Sequence, residues 1–272
     1  MRPEVTIEPF RPYQVPLFLA LAAKEGWKCG QWEFDFLLEN FGQGCWVARH
    51  NQHVAGFVTS VKYGKSGWIG NLLVRAELRG QGLGRFLMEQ AIASLDRAGT
   101  ETIWLTASRS GRPLYEKLGF FQIDMITRWR GSGDINSRKL QQGYTLEMVE
   151  ELDQLGWGDH RSLIIRKAAE QGTVLSVPDG FCMVQNAGGT LQLGPWCCRS
   201  LPAAENLLEQ ALTMMGQGDV FLDVPDSNGN AAFILRKRGF TPCGGTVLMY
   251  RGASPAYRSQ LIYALATMGS IG

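Results

Sequence analysis

The segment from Val74 to Gly84 constrains the fold of this chain more than any other feature. It follows an apolar, strand-like run that begins at Trp68, and it contains three glycines spaced two residues apart. From Leu83 onward, apolar residues recur at helical spacing. Glycines let backbone N–H groups turn inward, and the start of a helix adds the positive end of its dipole. This order of strand, glycine loop and helix predicts an α/β fold with a site for phosphate oxygens.

Glycine loops of this kind are typical of several nucleotide-binding classes, so the spacing alone leaves alternatives open. No Gly-Lys-Ser/Thr sequence follows the loop, which argues against a nucleoside-triphosphate loop. A nicotinamide dehydrogenase needs a parallel βαβ unit and an acidic residue about 20 residues later. Asp96 and Glu101 lie near that distance, but the preceding strands, Cys45–Arg49 and Val54–Tyr63, do not have the parallel order.

Two motifs together point to one family. Val74, Arg79 and the three glycines match motif A of the Gcn5-related N-acetyltransferase (GNAT) family, V-x-x-x-x-R-G-x-G-x-G/A, without a gap. The segment 113–120, PLYEKLGF, resembles the next motif, which ends L-Y-x-x-x-G-F. The resemblance covers about residues 3–130. It implies a central, mostly antiparallel twisted sheet flanked by helices.

The resemblance also implies acetyl-CoA, or another acyl-CoA, as the cofactor. Backbone groups of the strand before the loop would pair with the pantetheine arm, and loop amides would hold the pyrophosphate. A backbone N–H of that strand would polarise the thioester carbonyl. Ser108 stands where many members carry an asparagine that contacts the cofactor. The cofactor-binding residues implied in this way are Leu72, Leu73, Val74, Arg79, Gly80, Gln81, Gly82, Leu83, Gly84, Arg85 and Ser108.

Tyr115 occupies the position at which the family often has its general acid, where a phenol protonates the departing thiolate. The alternative is a ring that only packs beneath the cofactor. No general base is identifiable. The carboxylates on an early predicted helix are candidates or simply solvated groups: Glu33, Asp35 and Glu39. Trp27 and Trp32 could line a substrate pocket or belong to the core.

The second half of the chain repeats the first at an offset of 120 residues. The helix segment 87–92, LMEQAI, recurs at 207–212 as LLEQAL, and Gly119-Phe120 recurs as Gly239-Phe240. Arg79 recurs as Arg199. Matches at one offset in the same order predict a second domain of the same fold. We therefore expect a catalytic domain over residues 1–130, a linker over 131–143 and a degenerate GNAT-like domain over 144–272.

The repeat has lost the residues that the cofactor would need. The segment 199–204 reads RSLPAA, so all three glycines are replaced and Pro202 lacks an N–H donor. Leu235 stands at the position of Tyr115. We therefore expect one cofactor per chain. Asp223 and Asn228 are candidates for substrate contacts, with turn capping as the alternative. The pattern over 257–268 predicts a final helix.

Composition excludes other function classes. A net charge of +2 is too small to indicate a nucleic-acid partner. The apolar run at 15–23 is shorter than the ~20 residues of a membrane span. The six cysteines form no C-x-x-C pair, and with three histidines they show no metal-ligand spacing, so a reducing cytoplasm is expected.

These observations predict an N-acyltransferase that moves acetyl from acetyl-CoA to a primary amine of a small molecule, by direct attack. A homodimer is compatible with the sequence. Two alternatives stay open at this point. One is a non-catalytic regulator that binds acyl-CoA, and the other is a protein N-acetyltransferase.

Overall fold

The computed structural model describes residues 5–133, 145–187, 190–215 and 218–272. We call residues 5–132 the first half and residues 145–272 the second half. The first half alternates strands with amphipathic helices, as its apolar spacing predicts. Its elements are β1 (Val5–Pro9), α1 (Val15–Lys24), α2 (Gln31–Phe41), β2 (Trp46–His50), β3 (His53–Lys62), β4 (Ser66–Val74), α3 (Leu83–Arg97), β5 (Thr102–Ala107), α4 (Arg112–Lys117) and β6 (Phe121–Ser132).

The second half repeats this order from its two opening helices onward. The helix α7 follows a strand as α3 does, and the last long strand again follows a short helix. Its elements are α5 (Leu146–Trp157), α6 (Ser162–Gln171), β7 (Gly172–Val177), β8 (Gly180–Ala187), β9 (Thr190–Cys198), α7 (Leu201–Met215), β10 (Asp219–Pro225), α8 (Gly229–Lys237), β11 (Thr241–Gly252) and β12 (Ile262–Ala264). The predicted mixed α/β fold with a mostly antiparallel sheet is confirmed.

The two halves share one sheet, which was not expected. The strand order is β1-β2-β3-β4-β5-β11-β6-β10-β9-β8-β7, with β12 paired to β9. β11 of the second half lies between β5 and β6, while β6 pairs with β10. Tyr250 is opposite Trp104, and Leu222 is opposite Trp129. In the centre of the sheet, β5 of the first half therefore pairs with β11 of the second half, and β10 of the second half pairs with β6 of the first half.

Packing also joins the halves. One apolar cluster contains the first-half residues Trp68 and Trp104 together with Trp157 of α5, and the indole of Trp157 lies edge-on to both. Asp159 accepts hydrogen bonds from the backbone N–H groups of Lys65 and Ser66, in the β3–β4 turn, at 2.9 and 2.8 Å. Burial of this shared apolar surface stabilises both halves at once.

The predicted linker and final helix differ from the structure. β6 continues through Ser132, so the linker expected at 131–143 would begin inside a strand, and most of it lies outside the described residues. The predicted helix over 257–268 is wrong. The segment forms a short 3-10 turn, Ser259–Leu261, and then β12, because it is buried in extended form against β9 and β10.

Candidate active site

The glycine loop has the backbone geometry that its sequence predicts. Gly80 and Gly82 have φ values of +77° and +85°, in the left-handed region where a side chain would be strained. A Cβ at either position would meet no atom within 4 Å, so the space above the loop is open. Leu83 then begins α3, with Gly82 as its N-cap residue. The loop and helix start together offer unpaired N–H groups to an anion.

Next to this loop, the strands β4 and β5 separate. They pair in parallel only from Ser66 to Trp68, opposite 102–104. Beyond Trp68, β4 is irregular at Asn71, which has a φ of +54°, and its register with β3 shifts there. Asn71 tolerates this conformation better than most residues do. The result is a gap between the carboxyl ends of β4 and β5.

A cavity of about 300 Å³ opens from this gap. On one side it is lined by β4 and by Ser108 and Tyr115 of the first half. On the other side it is lined by strands of the second half, including Gln185 and Phe221, and by the terminal segment 267–270. Six residues that the sequence singled out for the site line this cavity: Trp27, Trp32, Glu33, Leu72, Ser108 and Tyr115.

Tyr115 lies in α4, with its ring 6.2 Å from that of Phe120. Burial raises the pKa of its phenol to about 12, so the group stays protonated at every ordinary pH. Ser108 accepts a hydrogen bond from the backbone N–H of Gly111 at 3.1 Å and so holds the turn that leads into α4. The fold therefore places the neutral phenol of Tyr115, a possible proton donor, in the cavity wall.

Glu33 is a buried carboxyl group at the start of α2. Only 5% of its surface is exposed, and its Oε1 accepts a hydrogen bond from the backbone N–H of Gly30 at 2.7 Å. Desolvation raises its pKa to about 7, although hydrogen bonds from Gly30 and Ser270 partly oppose this. A carboxyl group with this pKa can accept a proton near neutral pH. Its burial could not be inferred from the sequence, because Asp35 on the same helix is exposed.

The two predicted arginines lie outside the cavity lining. Arg79 donates from Nε to the carbonyl of Val74 at 2.9 Å and forms an ion pair with Glu25 at 2.5 Å. Arg85 pairs with Glu89, one helical turn away. Arg79 lies in the glycine loop and Arg85 in the first turn of α3, next to the unpaired backbone N–H groups. A glutamate balances the charge of each arginine, so the backbone N–H groups are the features of this edge that favour an anion.

The corresponding gap in the second half is filled by the chain itself. β9 and β10 pair over only two residue pairs, as β4 and β5 pair over three. Here β12 pairs with β9, and the backbone N–H of Leu265 donates to the carbonyl of Asp223 at 2.9 Å. The former glycine loop continues directly into α7, with Ala204 fully buried. Leu235 is also buried, in the core.

The structure places the two predicted second-half substrate residues away from the described cavity lining. Asp223 has no exposed surface and forms a bidentate ion pair with Arg128, at 2.7 Å for both contacts. Asn228 caps α8 by accepting from the backbone N–H of Ala231 at 3.0 Å, and its amide donates to the carbonyl of Ile262. Both side chains are hydrogen-bonded within the fold, which favours the alternative of a structural role for each of them.

Several residues of the cavity could not be assigned from the sequence. They come from elements far apart in the chain and are Arg128, Gln185, Gln192 and the segment 267–270. A glutamine within each of the mostly apolar strands β8 and β9 is a local signal that could have indicated two of them.

Comparison with known proteins agrees with this geometry. The Acetyltransferase (GNAT) family matches residues 11–120, and an Acetyltransferase (GNAT) domain matches residues 149–264. The chain belongs to the GNAT family. Both halves are GNAT-like, so the tandem arrangement that the 120-residue repeat predicts is confirmed. GNAT proteins generally use acyl-CoA as co-substrate, and this chain is an N-acyltransferase enzyme.

Two relatives of this GNAT protein have named activities. One is the [ribosomal protein bS18]-alanine N-acetyltransferase of Haemophilus influenzae, with 30% identity over 35% of this chain and 67% of that protein. The other is the holothin acyltransferase of Pseudoalteromonas sp. (strain SANK 73390), with 23% identity over 91% of this chain and 88% of that protein. Among solved structures, a candidate acetyltransferase from Pyrococcus horikoshii has a TM-score of 0.86 at 19% identity and covers 98% of this chain and 96% of its own.

Two further observations concern the residues that the structure describes. No helix among them is long and apolar enough to cross a membrane. They also contain no group of three or more His, Cys, Asp or Glu side chains that could hold a metal ion.

Proposed function

We propose that this enzyme transfers an acetyl group from acetyl-CoA to a primary amine of a small molecule by direct attack. One observation carries the proposal. A single cavity connects the open gap between β4 and β5 to a buried carboxyl group, Glu33, and a buried phenol, Tyr115, and its far side is closed by the second half. This is the arrangement that amine acylation requires: a thioester site, a base and an acid.

The first half fits the chemistry of acetyl-CoA. Gly80 and Gly82 add no side chains to the loop, and the amides of residues 80–84 would hold the pyrophosphate, while the N–H of Arg79 is bonded to the carbonyl of Ala76. The backbone of Leu72, Leu73 and Val74 would pair with the pantetheine arm along the edge of β4 that faces the gap. When bound there, acetyl-CoA supplies the activated carbonyl.

Glu33 would act as the general base of the reaction and Tyr115 as its general acid. Glu33 accepts a proton from the acceptor amine, whose nitrogen forms the new C–N bond. Tyr115 donates its proton to the sulfur as the C–S bond breaks. The pKa of about 7 for Glu33 and of about 12 for Tyr115 suits these opposite roles, since one group exists partly as the anion and the other is always the acid.

The shape of the cavity favours a small acceptor over a protein. Thr106 donates a hydrogen bond to the carbonyl of Met268, and the backbone N–H of Asn71 donates to the carbonyl of Gly269. The terminal segment therefore forms one wall of the cavity and limits its size. The relative that aligns over nearly the whole chain is named for holothin, whereas the relative named for a ribosomal protein aligns with one third of it.

The test is release of thiol from acetyl-CoA in the presence of a panel of primary amines and peptides, with the Tyr115→Phe variant beside the native chain. We expect turnover with one or more small amines. Tight binding of acetyl-CoA without turnover on any acceptor would support the non-catalytic regulator. Turnover on peptide N-termini alone would support a protein N-acetyltransferase.

A further inference from the structure

Gln185 is a buried side chain in the cavity wall with an unused hydrogen-bonding atom. It lies in β8 of the second half, and 4% of its surface is exposed. Its Oε1 is buried and has no hydrogen-bond partner among the residues that the structure describes. Leaving a buried acceptor without a donor costs stability, so such an atom indicates a missing partner.

The orientation of this amide follows from its neighbours. Its Nε2 donates to the carbonyl of Gly194 and, at 3.4 Å, to the carbonyl of Ala266. Gln192, opposite Gln185 in the β8–β9 ladder, also donates from Nε2 to the carbonyl of Ala266, at 2.9 Å. A flipped Gln185 would direct its oxygen at two carbonyl oxygens. The amide nitrogen is therefore fixed, and Oε1 is the atom left for a ligand.

Charged side chains that line the same cavity as Gln185 restrict which donor can bind there. Lys28 lines the cavity with its Nζ 5.4 Å from the centre of the Phe221 ring, and among the described residues it has a hydroxyl partner, Thr190, but no carboxylate. Arg128 stacks on the same ring at 4.6 Å, with its charge balanced by Asp223. An unbalanced cation at this end of the cavity repels a second ammonium group. A neutral N–H or O–H donor has no such penalty.

We infer that the acceptor carries, besides its reacting amine, a neutral hydrogen-bond donor that binds Oε1 of Gln185. Amino amides and hydroxyl-bearing amines have this chemistry, whereas diamines and simple alkylamines do not. The inference rests on the proposed function, since it places the acceptor in this cavity. It makes the degenerate half the part of the molecule that selects the acceptor.

Pairs of amines test the inference, because methylation removes the donor from one member of each pair and leaves its reacting amine unchanged. The pairs are glycinamide with 2-amino-N,N-dimethylacetamide, and tyramine with 4-methoxyphenethylamine. 1,3-Diaminopropane tests for repulsion of a second ammonium. We expect kcat/KM to be at least about tenfold higher for the donor-bearing member of a pair, which corresponds to one hydrogen bond to a buried acceptor. The diamine should be the poorest substrate.

The variant Gln185→Met should remove this preference, because it keeps the size of the side chain and lacks the oxygen. Gln210→Met is the matched control, since Gln210 is an equally buried glutamine in α7 outside the described lining of the cavity. It should retain the preference. Equal kcat/KM within both pairs in the native chain, or an unchanged preference in Gln185→Met, would overturn the inference.

Failure of the proposed function has a different signature. If acetyl-CoA binds but no amine is acetylated, the proposed reaction is wrong, and binding of the same amines is then measured by thermal shift in the presence of CoA. A shift with glycinamide or tyramine that is lost in Gln185→Met would still support the donor site. Equal shifts in both proteins, or no shift with any amine, would overturn it.

Discussion

The two halves have the same strand order, but their central gaps differ. In the first half, β4 and β5 separate after Trp68 and leave a cavity. In the second half, β9 and β10 also separate, but β12 occupies the space and the N–H of Leu265 is bonded to Asp223. The chain's own backbone thus takes the place in which the first half would hold the pantetheine arm. We therefore expect the second half not to bind acyl-CoA, because of its filled gap as well as its altered loop.

The loops differ in backbone as well as in sequence. Gly80 and Gly82 turn the first loop through the left-handed region before α3 begins. In the second half, α7 begins at Leu201, two residues after Arg199, and Pro202 lies in its first turn. Proline is well tolerated there because it removes an N–H group that the helix does not use. The same change removes a donor that an anion would need.

From the comparison of the two halves, we expect the largest effect on acetyl-CoA binding from a change in the glycine loop of the first half. Gly82→Val should abolish binding of acetyl-CoA, because valine is strained at a φ of +85° and its side chain would stand where the pyrophosphate approaches. Titration calorimetry measures this directly. Unchanged affinity would refute the assignment of the loop.

The control for this prediction lies in the second half. Ala204→Gly restores one glycine there, yet the gap stays filled by β12, so the stoichiometry should remain one acetyl-CoA per chain. Two binding sites in either the native chain or this variant would contradict the account of the filled gap.

Glu33→Gln should lower kcat by about 10²-fold at pH 8, the usual scale for loss of a general base. The third residue of α6, the matching helix of the second half, is the buried Ile164, so this chemistry exists in one half only. The native chain should gain activity as pH rises through about 7, and the variant should lack that step. A pH–rate profile with the same step in both proteins would exclude Glu33 as the base.

Stability gives a second readout for Glu33 that does not depend on turnover. Because its folded pKa is raised to about 7, its contribution to stability is greatest below the ordinary carboxyl range and is lost as pH rises to about 7. Urea unfolding at pH 5 and pH 8 should therefore show a larger decrease for the native chain than for Glu33→Gln. Equal decreases would mean that the carboxyl group is not desolvated.

Tyr115→Phe should lower kcat by roughly tenfold or more while leaving the KM for acetyl-CoA nearly unchanged, since only a proton donor is lost. The ring keeps its contact with Phe120. Steady-state kinetics separate the two parameters. A rise in KM with constant kcat would indicate that the ring only packs beneath the cofactor.

Asn228→Ala should have the smallest effect on catalysis. The variant loses the cap of α8 and should be destabilised by about 1–2 kcal/mol, with kcat/KM unchanged. Chemical denaturation and kinetics on the same sample check both parts. Unchanged stability with lower kcat/KM would restore Asn228 as a substrate contact.

Local sequence predicted the parts of the fold and site that depend on neighbouring residues. The glycine loop, the start of α3 and the position of Tyr115 follow from motifs of about ten residues. The order of strands and helices in both halves follows from apolar periodicity and from the 120-residue repeat.

Other features depend on contacts between residues far apart in the chain. β6 and β11 are strands of equal length that each follow a short helix, so local pattern does not show which strands each one pairs with. The ion pair between Asp223 and Arg128 joins residues 95 positions apart. The helix predicted over 257–268 was wrong because a short apolar segment can also be buried in extended form, and here β9 provides the hydrogen bonds.

The exchange of β6 and β11 has a consequence for synthesis on the ribosome. β5 completes its pairing only when β11 lies beside it, and β11 ends at Gly252. The first half therefore remains with an open sheet edge until β11 has left the exit tunnel. Premature termination before β11 leaves that edge exposed and prone to pair with other strands. Truncated products of this gene would be expected to aggregate rather than to persist as active half-enzymes.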